Sequence, residues 1–240
     1  MRGQLHGAVF EGNAGKKMKI GILFAGDREF APFLPMIKDA RTTKKAMLTV
    51  YEGRVEGVEV AALFSGVCKV NAAVAAQILL DSCGCGAVIN AGTCGGMDER
   101  LELFDTVVST EVAYHDVAPG ILTDFHPWMD SVYFKADEGL LNLARQVAGE
   151  RTFFGRMVTG EQFIADEKRP DINARFAPMS VDMETAAVAH VCHVNGVPFL
   201  SVRTLTDTAR HSGTAAFEEN CARAAALSAD FVRRMLQAMA

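Results

Sequence analysis

The chain of 240 residues carries 24 Lys plus Arg against 29 Asp plus Glu, a formal net charge of −5, with 50% hydrophobic and 22% charged residues. That composition fits one globular domain with a sizeable core, and without a basic block it argues against a nucleic-acid-binding surface. The longest apolar runs, such as 72–80, are too short to cross a hydrocarbon layer of roughly 30 Å, so no membrane span is expected.

Residues 1–17 are Gly-rich and lack the charged start and apolar stretch of a signal peptide; they read as a flexible extension or a tag. The domain is expected over 18–240. Residues 19–24 form a near-continuous apolar run too short for a helix and closed by Ala25-Gly26. This predicts a buried strand that delivers Asp27-Arg28-Glu29 at its carboxyl end. Further strands are predicted at 45–51, 58–64, 87–90, 105–110, 157–159 and 199–204. Between them, 70–82, 139–148, 184–194 and 217–238 are Ala- and Leu-rich with helical spacing. Alternating strands and helices predict an α/β sheet with helices on both faces and a ligand site beyond the carboxyl ends of the strands. Polar clusters gather there: Asp27–Glu29, Gly92–Gly96 and Thr206-Asp207.

Asn90-Ala-Gly-Thr-Cys-Gly-Gly96 reads as a Gly-rich turn, either structural or able to bring backbone N–H groups close to an anion or a sugar. It lacks the spacing of a dinucleotide fingerprint or a P-loop. Asp182 and Glu184 fall at the entrance of a predicted helix, where acidic residues complement the helix dipole. A carboxylate there can also accept hydrogen bonds from both hydroxyls of a ribose. Asp207, at the end of an apolar strand, is a helix cap or a general acid.

His190-Val-Cys-His193 shares a helix face, but no second cluster completes a metal site, so these histidines read as structural and no metal or cofactor is expected. Phe163, Trp128 and Phe217 default to core packing. Cys68, Cys83, Cys85, Cys94, Cys192 and Cys221 stand among apolar neighbours with no Cys-x-x-Cys pair, as reduced thiols of a cytoplasmic protein do.

Taken in order, several segments resemble the 5′-methylthioadenosine/S-adenosylhomocysteine nucleosidases of the purine nucleoside phosphorylase superfamily. They are 19–29, Ser65-Gly-Val-Cys-Lys-Val-Asn-Ala-Ala73, Asn90–Gly96, Tyr114-His-Asp116 with Phe134-Lys-Ala-Asp137, Thr159-Gly-Glu-Gln-Phe-Ile164, Val181-Asp-Met-Glu-Thr-Ala186, and His190 through Arg203-Thr-Leu-Thr-Asp207. The resemblance implies a three-layer phosphorylase/hydrolase-like α/β fold, with a twisted mixed central β-sheet that curls toward a barrel between helices. It also implies a homodimer whose partner lines the 5′ end of the substrate site.

The resemblance further implies a role for each matching residue. Asp207 would protonate adenine N7 as the glycosidic bond breaks, with Thr206 orienting it, and Glu29 would activate water on the opposite face of the sugar. Glu184 would hold the ribose hydroxyls and Met183 would pack on the sugar. Phe163 would stack on adenine while the backbone of Ile164 reads its edge. Thr93 would sit beside the water, Arg203 would position a carboxylate, and Phe217 would line the alkylthio pocket.

Within the superfamily, phosphorylases hold phosphate with arginines. Here Asn90 stands before the Gly-Thr segment, which favours water, although Gly26-Asp27-Arg28 is similar to the phosphorylase first loop. The 117–129 segment and Gln162 depart from the family pattern. The alternatives are a phosphate-using purine nucleoside phosphorylase, a nucleosidase for another 6-aminopurine nucleoside, and a non-catalytic nucleoside-binding protein. Dimer contacts are expected at helix 70–82 and at Tyr114-His115-Asp116.

Overall fold

A computed structural model describes residues 18–164, 166–211 and 213–240. The expected extension at 1–17 lies outside the described residues. Ten strands, β1 (Ile20–Phe24), β2 (Lys38–Lys45), β3 (Leu48–Val55), β4 (Val58–Phe64), β5 (Ala87–Gly96), β6 (Thr106–Tyr114), β7 (Phe134–Lys135), β8 (Thr152–Thr159), β9 (Ser180–Asp182) and β10 (Phe199–Asp207), join one mixed sheet. The helices are α1 (Asp27–Phe30), α2 (Lys69–Asp81), α3 (Ile121–Asp124), α4 (Glu138–Val147), α5 (Arg169–Phe176), α6 (Thr185–Asn195) and α7 (Thr214–Met239).

The sheet runs β10-β6-β8-β9-β5-β1-β4-β3-β2, and β10 also pairs in parallel with β5. Strands β5, β10, β6, β8 and β9 therefore close into a ring, while β1, β4, β3 and β2 extend it as an open wing. β1 shows why its sequence is apolar throughout. Ile20, Ile22 and Phe24 belong to the core shared with α4 and α7, while Leu23 belongs to the core shared with α2 and α6. A strand covered on both faces has no polar side to show. On the α2–α6 side, small residues such as Ala72, Ala76, Ala186 and Ala189 let the helices come close to the sheet and to each other. On the other side, Phe231, Val232, Met235 and Leu236 of α7 are fully buried, each contributing roughly 1.5–3 kcal/mol of apolar burial.

Three expectations need correction. The strand expected at 45–51 is the junction of two: Ala46 and Met47 turn with φ of 47° and 66° between β2 and β3. Both central residues at positive φ give the twist a two-residue hairpin favours. β2 escaped an apolar reading because all eight of its residues are exposed, and its lysines lie on the sheet's outer edge, where charge discourages pairing with another chain. Finally, Asn90–Gly96 is not a turn. β5 continues through Gly96 because β10 pairs along it and β9 takes up Gly95 and Gly96.

Among the described residues no helix is long and apolar enough to cross a membrane, and no group of three or more His, Cys, Asp or Glu side chains is arranged to hold a metal ion. His190 instead stacks on Phe134 at 5.0 Å and lies 3.3 Å from the Tyr114 hydroxyl through Nδ1. All six cysteines are free. Burial pushes the Cys85 and Cys94 thiols well above their ordinary range and Cys192 up to about 12.

Candidate active site

The end of β1 runs straight into the single turn of α1, which swings Glu29 back over the strand end. Its carboxylate is buried, and both oxygens accept hydrogen bonds. Oε2 accepts from the backbone N–H groups of Ala25 and Gly26 at 3.0 and 3.2 Å. Oε1 accepts from the N–H and the hydroxyl of Thr93 at 2.7 and 2.6 Å. This packing needs Gly92, which has φ +140°: a Cβ there would lie 2.8 Å from the Glu29 carboxylate.

Arg203, on β10, is entirely buried and forms the electrostatic centre. Nη1 donates to the Thr93 carbonyl at 3.0 Å and Nη2 to Asn90 Oδ1 at 2.8 Å. Nε lies 3.2 Å from Asp182 Oδ2, Nη2 3.4 Å from Glu184 Oε2, and Nη1 3.9 Å from Glu29 Oε1. Burial opposes the guanidinium charge, but Asp182, Glu184 and Glu29 outweigh it and raise its pKa. Asn90 is absorbed in the same network. It donates to the Leu23 carbonyl and accepts from Thr185 as well as Arg203.

Glu184 is the N-cap of α6 rather than a member of its first turn, and Asp182 ends β9. Asp182 Oδ1 accepts from Thr159 Oγ1 and from the N–H groups of Glu184 and Thr185, so it caps the helix and holds Glu184 in place. Glu184 Oε1 accepts from Cys68 N–H, where α2 begins, at 2.9 Å. Burial pushes the Glu184 carboxyl up to about 7; Arg203 pulls it down, while Asp182 and Glu29 add to the rise.

Asp207 closes β10, just past a register shift against β5 between Leu205 and Asp207. It is almost wholly buried. Thr206 Oγ1 lies 3.0 Å from its Oδ1, and Arg169 Nη2, from the first residue of α5, lies 2.9 Å from its Oδ2. Arg169 also donates to the Gly96 carbonyl.

A cleft of about 420 Å³ brings together Glu29, Thr93, Phe163, Met183, Glu184, Arg203, Thr206, Asp207 and Phe217. Ile164 is buried in an adjoining slot of about 30 Å³ that shares Phe163, Met183 and Asp207 with the cleft. Phe163 and Phe217 are not core residues but meet edge to face across the cleft at 6.5 Å. At the rim, Arg28 pairs with Glu218 at 2.5 Å. Of the side chains singled out for the site, all but Ile164 line the cleft, and Ile164 lines the adjoining slot.

Sequence reasoning missed Arg169, whose place in the charged run around Glu167-Lys168 gave no signal. It saw Asp182 only as a helix-entrance acid, and Asn90 only as a substitute for arginine. The Cys68 N–H contact left no mark in the sequence, because it depends on a backbone with φ of 82° at the start of α2.

An electrophilic sugar carbon between Glu29 and Asp207 would have a water-holding carboxylate on one side and a proton donor on the other. The Phosphorylase superfamily profile matches residues 19–237. A 5′-methylthioadenosine/S-adenosylhomocysteine nucleosidase of Actinobacillus succinogenes is 39% identical over 227 residues, covering 91% of this chain and 98% of the relative. The solved nucleosidase of the same name from S. pneumoniae, with a transition-state inhibitor, has TM-score 0.86 and 29% identity, covering 93% of this chain and 100% of that one. A futalosine hydrolase of Helicobacter pylori has TM-score 0.84 and 26% identity, covering 92% and 98%.

Proposed function

The chain belongs to the phosphorylase superfamily, and within it we propose that it hydrolyses the N-glycosidic bond of 5′-methylthioadenosine and S-adenosylhomocysteine, releasing adenine and the 5-thioribose product. The observation that carries this reading is Arg203, the buried cation of the cleft, shared among Asp182, Glu184 and Glu29. Carboxylates gathered in this way suit a ribosyl cation and repel inorganic phosphate. Asn90, which stands where phosphorylases carry arginine, is committed to Arg203, Thr185 and Leu23.

In the mechanism, adenine would stack on Phe163 beside the Ile164 backbone with N7 toward Asp207. Asp207, oriented by Thr206, gives its proton to N7, so the C1′–N9 bond breaks with both electrons leaving on a neutral base. Glu184 accepts hydrogen bonds from the ribose 2′- and 3′-hydroxyls, and Met183 packs on the sugar. A water held by Glu29 and Thr93 attacks C1′ from the opposite face, and Glu29 takes its proton. Phe217 flanks the 5′-thioether.

Incubation with methylthioadenosine in phosphate-free buffer should release adenine together with a free reducing sugar. Asp207→Asn should lower kcat by about 10²–10⁴-fold. Adenine appearing only after phosphate is added, with a sugar 1-phosphate, would identify a phosphorylase instead. A substrate panel that includes futalosine tests the reading suggested by the futalosine hydrolase neighbour.

The same reading makes residues 18–240 one catalytic domain of a cytoplasmic homodimer. Val67, Val70 and Val74 at the start of α2, with Phe125 and Trp128 in the 117–129 segment, are exposed apolar side chains that support a dimer contact. Val67 also lines the cleft, so a partner docked on α2 would border the substrate.

A further inference from the structure

The rim of the cleft carries charge for which hydrolysis itself has no use. Arg28, on α1, and Glu218, one residue beyond Phe217 on α7, form an ion pair at 2.5 Å, and Arg28 Nη2 reaches the Glu218 carbonyl at 3.3 Å. The guanidinium lies 5.9 Å from the centre of the Phe217 ring. Asp27 lines the same rim. The pair is solvent-accessible, with side chains 47% and 62% exposed, whereas Asp207, which lines the same cleft, is 1% exposed. The cleft therefore descends from two opposite charges at its mouth, past an aromatic ring, to the buried carboxylates.

We infer that Arg28 and Glu218 form a subsite for the zwitterionic amino-acid tail of a nucleoside thioether, which makes them specificity-determining residues. The inference rests on the proposed nucleosidase reading. With the base at Asp207 and the ribose at Glu184, a 5′-thioether points past Phe217 toward the rim. A methylthio group ends at the ring. A homocysteine tail continues through two methylenes and ends in an α-carboxylate and an α-ammonium. The carboxylate replaces Glu218 as the partner of the Arg28 fork, and the ammonium takes Glu218, with Asp27 beside it. The exchange is nearly isoenergetic for the protein, because an exposed ion pair contributes little and its loss is easily replaced.

The test is the ratio of kcat/KM for S-adenosylhomocysteine to that for methylthioadenosine, measured on the same preparations of wild type, Arg28→Met and Glu218→Gln, so that any loss of folded protein cancels. The ratio should fall about five- to tenfold in each variant, on the scale of one exposed charge-assisted contact. A thioether analogue that keeps the tail carboxylate but lacks the ammonium should respond to Arg28→Met and not to Glu218→Gln. Ratios within twofold of wild type in both variants would reduce the pair to a rim salt bridge and overturn the inference. Absence of adenine release from methylthioadenosine by the wild type would instead overturn the nucleosidase reading.

Discussion

Thr93 gives both its backbone N–H and its hydroxyl to the same oxygen of Glu29, at 2.7 and 2.6 Å. The double contact fixes the orientation of the carboxylate that, in the proposed mechanism, would hold the attacking water. Thr93→Val keeps the shape and the N–H but removes the hydroxyl, and a hydrogen bond to a charged group contributes about 1.5–3 kcal/mol. Methylthioadenosine hydrolysis should therefore lose about 10- to 100-fold in kcat with little change in KM, as read by adenine release over a substrate series. An effect mainly on KM would place Thr93 in ground-state binding.

Gly92 tests the same carboxylate from behind. Its φ of +140° suits glycine, and a Cβ would stand 2.8 Å from the Glu29 carboxyl atoms. Gly92→Ala should cost about 1–3 kcal/mol of stability in urea unfolding through backbone strain. It should also push Glu29 out of line, reducing kcat at least tenfold in the fraction that remains folded, since small misplacements of a reacting group are expensive. Normal kcat in a folded Gly92→Ala protein would show that Glu29 tolerates displacement.

Glu184 gives a pH signature. Burial raises its carboxyl from 4.5 to about 7, so the folded state holds a proton that the unfolded chain releases. Stability from this group is therefore greatest at low pH and declines as pH rises between about 4.5 and 7. On the proposed reading diol binding runs the other way, because the ionised carboxylate would accept from both ribose hydroxyls. The Kd of a non-hydrolysable methylthioadenosine analogue should fall about tenfold from pH 6 to pH 8 as the ionised fraction grows. Glu184→Gln should bind at least tenfold more weakly and show no such dependence. Calorimetric titration across that range decides it.

What the sequence disclosed and withheld follows from where each residue's partners lie. The places of Glu29 and Asp207 were legible because one follows and the other ends an apolar strand, a local pattern that already fixes which end of the sheet each occupies. The apolar run of β1 and the Ala-rich faces of α2 and α6 were legible for the same reason. β2 was not, since an exposed edge strand carries no hydrophobic alternation. Gly92, Gly95 and Gly96 suggested a turn because glycine is read as a breaker. Here they serve a strand that must let Glu29, Asp207 and Leu205 approach its backbone closely. Arg169 lies 38 residues from Asp207 in sequence, and only the packing of α5 against the ring joins them.

The ring of β5, β10, β6, β8 and β9 has a consequence for how such an enzyme changes over generations. Thr93, Arg203, Asp207, Asp182 and Thr159 all stand on its staves, each strand hydrogen-bonded to a neighbour on either side. A substitution that displaced one of them would have to strain the whole hoop, so these five side chains are held in place together by the sheet. Arg28, Phe217 and Glu218 stand outside the hoop, on helices that only lean against it. A substitution at that doorway leaves the strand pairings of the hoop untouched, so on the inference drawn above the choice of thioether could change without rebuilding the sheet.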